Sequence, residues 1–344
     1  MANTDPSRLG QVNGAGDVNE LFLKVFSGEI LTTFEEKNIM KDLHTVRTIN
    51  SGKTAQFPIT GVADANYHTV GEDIVDGSNN YLSKIKHAER TINIDDVLIA
   101  STFIANIDEL KNHYDVRSIY AKELGKALAK RFDLATMKTL FAAASGTSPI
   151  GGASGTEVSG ADTLSADGLV DSLYAVARSL DEKDAPDEGR FAVLTPSQYY
   201  TLLTADNVAI NRDTGGVGNV ATGKIAQVAG ISILKSNHLD SVISLGNVSS
   251  GSLSSDSTAN NDVFDTAGEG YEGDFSALSG TPSNGVTPKG FLAGTKEAIG
   301  TVKLLDLATE SEYQIQRQGT LFVAKYAMGH GVLRPECAVK VLPA

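Results

Sequence analysis

The sequence predicts an α+β chain. Three observations carry that prediction: one very long helix, two strand-like runs just ahead of it, and a later stretch in which helix and strand alternate. Residues 111–144 contain no Pro and a single Gly, Gly125, and are dense in Ala, Leu, Lys, Glu and Met, the better helix formers. At about 1.5 Å per residue they make a rod of roughly 45 Å, far longer than an average globular helix. Wound at about 100° per residue, Val116, Tyr120, Leu124, Ala127, Leu128, Leu134, Ala135 and Phe141 fall on one arc, so one stripe wants a core. Lys122, Lys126 and Lys130 form a separate basic row at i, i+4 spacing. That row is either a solvated face or a contact with a neighbouring subunit.

Taken from the N-terminus, residues 1–18 are small, polar and Gly/Asn-rich and read as an arm. A short helix-like apolar stretch follows at 21–31. Residues 46–60 and 84–100 are rich in Thr, Ile and Val and read as strands. The polar segment between them, 61–82, carries Glu72, Asp73 and Asp76. Together these make a long hairpin with an acidic tip. Its strands hold few apolar residues, and a lone two-stranded ribbon is marginal in water, so the ribbon is expected to lie on another molecule. The alternative is a hairpin folded back on its own chain.

After the long helix, residues 145–160 are a Gly/Ser linker. Residues 161–180 read as a helix with Asp167 near its start, 190–196 as a short buried strand, and 196–203 as a helix with Thr195 as N-cap and Pro196 at the first position. Residues 231–234 read as another strand. This alternation marks a mixed α/β unit. Residues 240–289 are Ser/Gly/Asn/Thr-rich, with seven carboxylates and Lys289 as their one basic residue, and read as a surface insertion. The end of the chain is β-rich, at 298–302, 313–316, 320–326 and 338–342.

At 344 residues the chain holds about two domains. A formal charge of −13 argues against gripping nucleic acid, because phosphate binding needs a basic surface. It permits a wall along which DNA slides. Cys337 is the one cysteine, so no internal disulfide forms and no oxidising compartment is implied. No apolar run reaches the ~18 residues of a membrane span, and no signal-peptide core is present. The cytoplasm is the expected place of assembly.

Active-site patterns fall short. Residues 218–225 approach a phosphate-binding P-loop, but Ile225 stands where a Ser or Thr must ligate magnesium. Residues 51–54 have the Gly-Lys-Thr tail, with Arg47 in place of the first Gly. The Gly216–Gly218–Ala221 spacing lacks the strand that a dinucleotide site needs. The six histidines, His44, His68, His87, His113, His238 and His330, show no helical metal spacing. No catalytic residue, cofactor or metal is expected, and the chain reads as a non-enzyme. A P-loop NTPase is the remote alternative.

Five segments, FLKVFSGEILT at 22–32, SGKTAQFP at 51–58, NHYDVRS at 112–118, IGTVKL at 299–304 and AKYAMGHG at 324–331, occur in family order and resemble the major capsid proteins of autographiviruses, short-tailed phages. The resemblance is poor between about 145 and 289. It implies the shell fold of the phage Hong Kong 97. Its parts would be an N-terminal arm at 1–45, an extended E-loop hairpin at 46–100, a peripheral domain at 101–160 and 305–344 with a spine helix at about 111–144, and an axial α/β domain at 161–304 with the acidic insertion at about 240–290.

Function then follows as self-assembly into hexamers and pentamers of an icosahedral head. The resemblance implies a scaffolding protein during assembly, a portal or connector at one vertex, packaged double-stranded DNA without sequence-specific binding, no membrane, and no Lys–Asn weld between subunits. The chain would assemble in the bacterial cytoplasm and reside in the virion. Intersubunit contact candidates are Lys53, Gln56, Phe57, Lys84, Lys86 and Arg90 on the ribbon and Glu72 and Asp73 at its tip. An encapsulin-type bacterial compartment shares the fold and differs in cargo.

Overall fold

A computed structural model describes residues 38–61, 63–75, 81–82, 85–94, 97–105, 116–203, 227–239, 278–280 and 287–344. Among these, the strands are β1 (Thr45–Thr48), β2 (Thr54–Thr60), β3 (His87–Asn93), β4 (Leu98–Ala105), β5 (Thr156–Ala161), β6 (Phe191–Leu194), β7 (Gln227–Val228), β8 (Ile231–Lys235), β9 (Phe291–Gly294), β10 (Ile299–Gln314), β11 (Gly319–Val332) and β12 (Ala338–Pro343). The helices are α1 (Val116–Ser145), α2 (Ala166–Asp181) and α3 (Pro196–Leu203).

Strands form a four-stranded sheet in the order β1-β10-β11-β4, a six-stranded sheet in the order β5-β12-β9-β6-β8-β7, and a two-stranded ribbon of β2 and β3. The six-stranded sheet holds the main core. β6 and β9 are buried at every position, as continuous apolar strands covered on both faces must be. Leu169, Leu173, Val176 and Leu180 of α2 and Leu202 of α3 belong to the same core. Local signals start both helices. Ser165 Oγ accepts from the Gly168 N–H at 3.1 Å. Thr195 Oγ1 accepts from the Gln198 N–H at 3.4 Å while Gln198 Oε1 accepts from the Thr195 N–H at 3.0 Å, a reciprocal capping box.

Helix α1 spans both sheets. Leu124, Leu128 and Phe132 pack on Ala324, Tyr326 and Met328 of β11 and on Leu98 and Ala100 of β4. Further along, Leu134, Met137, Leu140 and Phe141 enter the main core. The expectation of a single apolar stripe therefore holds for the first half only. From Phe132 to Phe141 every residue is buried, because protein surrounds the rod there. Its threonines in this stretch bond back to the helix's own carbonyls: Thr136 Oγ1 donates to the Phe132 carbonyl at 3.1 Å and Thr139 Oγ1 to the Ala135 carbonyl at 2.9 Å. Ala127, placed on the stripe by the helical wheel, is exposed. In the basic row, Lys126 bonds Glu123 at 3.0 Å and Lys130 is exposed, while the Lys122 side chain lies outside the described residues.

Several strands depart from the sequence expectation. Residues 45–48 leave the ribbon and pair in parallel with β10, Thr45 opposite Gly300. Residues 98–105 pair with β11, Tyr326 opposite Leu98. The ribbon itself is Thr54–Thr60 against His87–Asn93. β10 runs unbroken across two expected strands, and residues 315–317 form a 3-10 turn. The final strand β12 joins the six-stranded sheet between β5 and β9 and does not return with β11. Each of these pairings links residues far apart in sequence, which local pattern does not encode. Of the acidic insertion, 278–280 and 287–290 are described: Ser279 bridges Lys289, and Leu278 is fully buried.

Candidate assembly surface

The ribbon has two different faces, set by strand alternation. Ala55, Phe57 and Ile59 on β2 share one face with Ala88, Arg90 and Ile92 on β3; Thr54, Gln56, Pro58, Thr60, His87, Glu89, Thr91 and Asn93 occupy the other and are all exposed. The first face packs on its own chain. Ala55 and Ile92 cluster with Val302 and Leu333, and Phe57 leans on that cluster. Glycines make room for this contact: a Cβ on Gly329 would lie 1.9 Å from the Asn93 carbonyl oxygen, and one on Gly331 would lie 2.6 Å from the Ile92 side chain. The ribbon root is thus folded back on its own sheet, contrary to the expectation that the whole ribbon lies elsewhere. Its apolar residues are few but all sit on one face.

The candidate contact residues consequently separate into groups. Lys53 is exposed at the root, where its carbonyl accepts from the Ile94 N–H at 2.8 Å. Gln56 lies on the outer face and donates to Glu89 at 3.0 Å. Phe57 faces inward beneath the Arg47 guanidinium, 5.8 Å from the ring centroid. Arg90 faces inward and donates to the Thr147 carbonyl at 3.3 Å. Lys86 reaches the 147–151 loop beside Gly151. Lys84 lies outside the described residues.

Glu72 and Asp73 belong to a tip whose polar groups bond one another. The Tyr81 hydroxyl donates to Glu72 Oε2 at 2.5 Å and accepts from the Thr69 N–H at 3.0 Å. The His68 ring bonds the Glu72 carbonyl at 2.7 Å and lies 5.0 Å from the Tyr81 ring. Asp73 Oδ1 accepts from the Val75 N–H at 2.8 Å. These polar groups bond one another, and the apolar side chains face water: Tyr67 and Val70 are essentially fully exposed, and Ile74, Val75, Leu82 and Ile85 are about half exposed or more. Six exposed apolar side chains within one segment make the tip a candidate contact surface. Residues 61–82 read as merely polar and acidic in sequence; the apolar contribution is scattered among polar residues and shows only in space.

A second feature has no local sequence signal. Asp133, fully buried on α1, accepts from the Ile39 and Met40 N–H groups, each at 3.2 Å, and its Oδ2 lies 2.9 Å from His238 Nδ1. Beside it Phe132 lies between two imidazoles, with ring centroids 5.6 Å from His44 and 5.1 Å from His330. Burial holds the His330 pKa down to about 3, with nearby His44 adding to the same direction. Burial also lowers the His44 pKa. Among the described residues no group of three His, Cys, Asp or Glu side chains could hold a metal. The P-loop lookalike at 218–225 lies outside the described residues. Ser51–Thr54 leads into strand β2, whereas a P-loop leads into a helix.

Comparison with known proteins agrees with this architecture. Residues 56–342 match the family model described as Gp10A-like major capsid protein. The chain is 32% identical to the major capsid protein of Escherichia phage T7 over 350 residues, covering 96% of this chain and 94% of that one. It is 33% identical to the major capsid protein of Enterobacteria phage T3 over 348 residues, covering 96% and 93%. The capsid structure of the cyanophage P-SCSP1u superposes with a TM-score of 0.72 at 38% identity, over 100% of this chain and 99% of that one. The mature capsid subunit of bacteriophage PhiM1, at 17% identity and a TM-score of 0.64 over 90% and 88% of the two chains, shares the fold. These are phage head proteins, which favours the phage reading over the bacterial compartment. The Hong Kong 97-type fold expected from the resemblance is the one observed, and the chain belongs to the Gp10A-like family of major capsid proteins.

Proposed function

We infer that this chain, a major capsid protein of a phage icosahedral shell, builds that shell from hexamers and pentamers of itself by laying its ribbon on neighbouring copies. The observation that carries this reading is the ribbon tip, with Tyr67 and Val70 turned entirely to water. Exposed apolar side chains gathered on one projecting segment suit burial by a partner, and the partner most abundant during assembly is a sister copy. On this reading the ribbon is the E-loop and α1 the spine helix. The four-stranded sheet belongs to the peripheral domain and the six-stranded sheet to the axial one. Lys53, Gln56, Glu72 and Asp73 are the candidates placed to touch a neighbour, while Phe57, Lys86 and Arg90 position the ribbon on its own chain.

Double-stranded DNA is the expected content. A net charge of −13 suits an inner wall that does not hold phosphate. A scaffolding protein would guide curvature during assembly and a portal would occupy one vertex. The reading assigns the chain no enzymatic step. Electron microscopy of the chain expressed with a scaffolding protein tests it: closed particles are expected, and their absence under all conditions would overturn it.

A further inference from the structure

Among the described residues the two larger sheets end in four edge strands, β1 and β4 in one and β5 and β7 in the other. A free edge offers unpaired N–H and C=O groups to any other strand, so natural proteins keep edges short, charged or broken. Three of these edges obey that rule. β1 is four residues long and carries Arg47, β7 is two residues long, and β5 carries Glu157 and has Gly160 at a φ of 70°. β4 does not. It runs for eight residues, and among the described residues β11 is its one neighbour. Residues 97–105 contain no charge, no Pro and no Gly, a composition prone to pair with another strand. Val97 is 42% and Ile99 58% exposed.

We propose that the free edge of β4 pairs antiparallel with the same edge of a second copy, about a two-fold axis through Ser101, and that this contact joins one ring of subunits to the next. The proposal rests on the reading that the chain closes shells, and it names the seam between rings.

Symmetry, charge and register select a second copy as the occupant. A shell made of rings needs contacts between rings as well as within them. A contact about a two-fold uses the same patch on both chains, and two identical edges laid antiparallel make such a contact. Like charges directly opposite each other destabilise a strand pair, so an edge that pairs with itself must be neutral. In a chain of net charge −13, the neutral run at 97–105 meets that need. Register then places the axis. Residues opposite each other in a pair share a face, and faces alternate along a strand, so a two-fold normal to the sheet passes through a residue. Leu98 and Ala100 face α1, and Ile99, Ser101 and Phe103 therefore share the other face. With Ser101 at the axis, Ile99 stands beside Phe103 of the partner subunit, an aromatic–β-branched pair of the kind sheets favour. The exposed Ser101 meets its own copy, and the two four-stranded sheets merge into one.

A single introduced cysteine tests this. Opposite Cα atoms in an antiparallel pair lie about 4.5–5.5 Å apart, within the span of a disulfide. Oxidised shells of the Ser101→Cys variant, boiled in detergent without reductant, are expected to run as dimers and no larger. The native Cys337 is buried, so wild-type shells treated alike should run as single chains. Shells that form normally and yield no dimer would overturn the proposal. That holds even if hydrogen exchange shows 98–105 protected on assembly, because a different strand then fills the edge. Wild-type chain that forms no shell would instead overturn the function on which the proposal rests. In parallel, Ile99→Glu sets a carboxylate opposite Lys325 of its own chain, so the unassembled fold should keep its unfolding midpoint. The threshold concentration for closing shells should rise about tenfold or more, while rings still form. An unchanged threshold would also overturn the proposal.

Discussion

Asp133 and His238 meet at 2.9 Å across 105 residues of sequence, and the same carboxylate accepts the backbone N–H groups of Ile39 and Met40. One side chain on the long helix therefore ties the segment entering β1 to the segment following β8. A buried carboxylate with three partners is stable only while those partners stay.

Replacing it should be costly. Asp133→Ala removes the buried acceptor of His238 Nδ1 and of two backbone N–H groups, at about 3–5 kcal/mol by analogy with broken buried pairs. Asp133→Asn keeps an acceptor and should lose less. Chemical denaturation of the unassembled chain measures both, and a loss under about 1 kcal/mol for the alanine variant would show that the link is incidental.

Acid should weaken the fold through the buried histidines. In the unfolded chain His330 binds its proton near the ordinary histidine value of 6.5, whereas in the fold burial holds that pKa to about 3. The unfolded state therefore binds more protons between these values. Stability is fully present above about pH 6.5 and falls as pH drops, by up to about 1.4 kcal/mol per pH unit for that one residue. His44, lowered in the same direction by burial and by Lys303 but held up by its bond to the Met40 carbonyl and by Asp133 and Asp42, adds to the slope. Unfolding midpoints from pH 7 to 4 should show this loss, and His330→Asn should flatten it. An equal slope in the variant would locate the acid sensitivity elsewhere.

Gly329→Ala should dislodge the ribbon root. The added methyl would fall 1.9 Å from the Asn93 carbonyl oxygen, a backbone atom that cannot turn aside. A destabilisation of about 1–3 kcal/mol is expected from such overpacking, with faster proteolysis at 85–94 than in wild type. Unaltered cleavage there would mean that the root is not seated on β11.

Intact shells should contain no covalent link between subunits. Boiled in detergent, they are expected to run as a single band of one chain; a ladder without added oxidant or introduced cysteine would contradict this.

What the sequence reveals and conceals divides by range. The long helix, the Thr195–Pro196 start of α3 and the all-apolar β6 are set by neighbours within a few residues, and they read directly. The parallel pairing of Thr45 with Gly300, the placing of β12 in the other sheet, and the Asp133–His238 contact depend on residues brought together by the completed fold. No local period announces them. The ribbon is intermediate. Its existence is legible, but the seating of its root depends on Gly329 and Gly331 more than two hundred residues later. Its tip reads as polar because Tyr67, Val70, Ile74 and Val75 are spaced among charged and small residues. Only the folded tip shows that Glu72 and Tyr81 bond each other while those apolar side chains stay exposed.

The central claim is that this tip is completed by a sister copy. Sedimentation velocity on a chain whose residues 63–82 are replaced by a short Gly/Ser turn, beside wild type and with scaffolding protein present, tests it most directly. Wild type should sediment as large closed particles, and the trimmed chain as folded small species at the same concentration. Trimmed chains that assemble as readily as wild type, or wild type that stays a compact monomer throughout, would contradict the account.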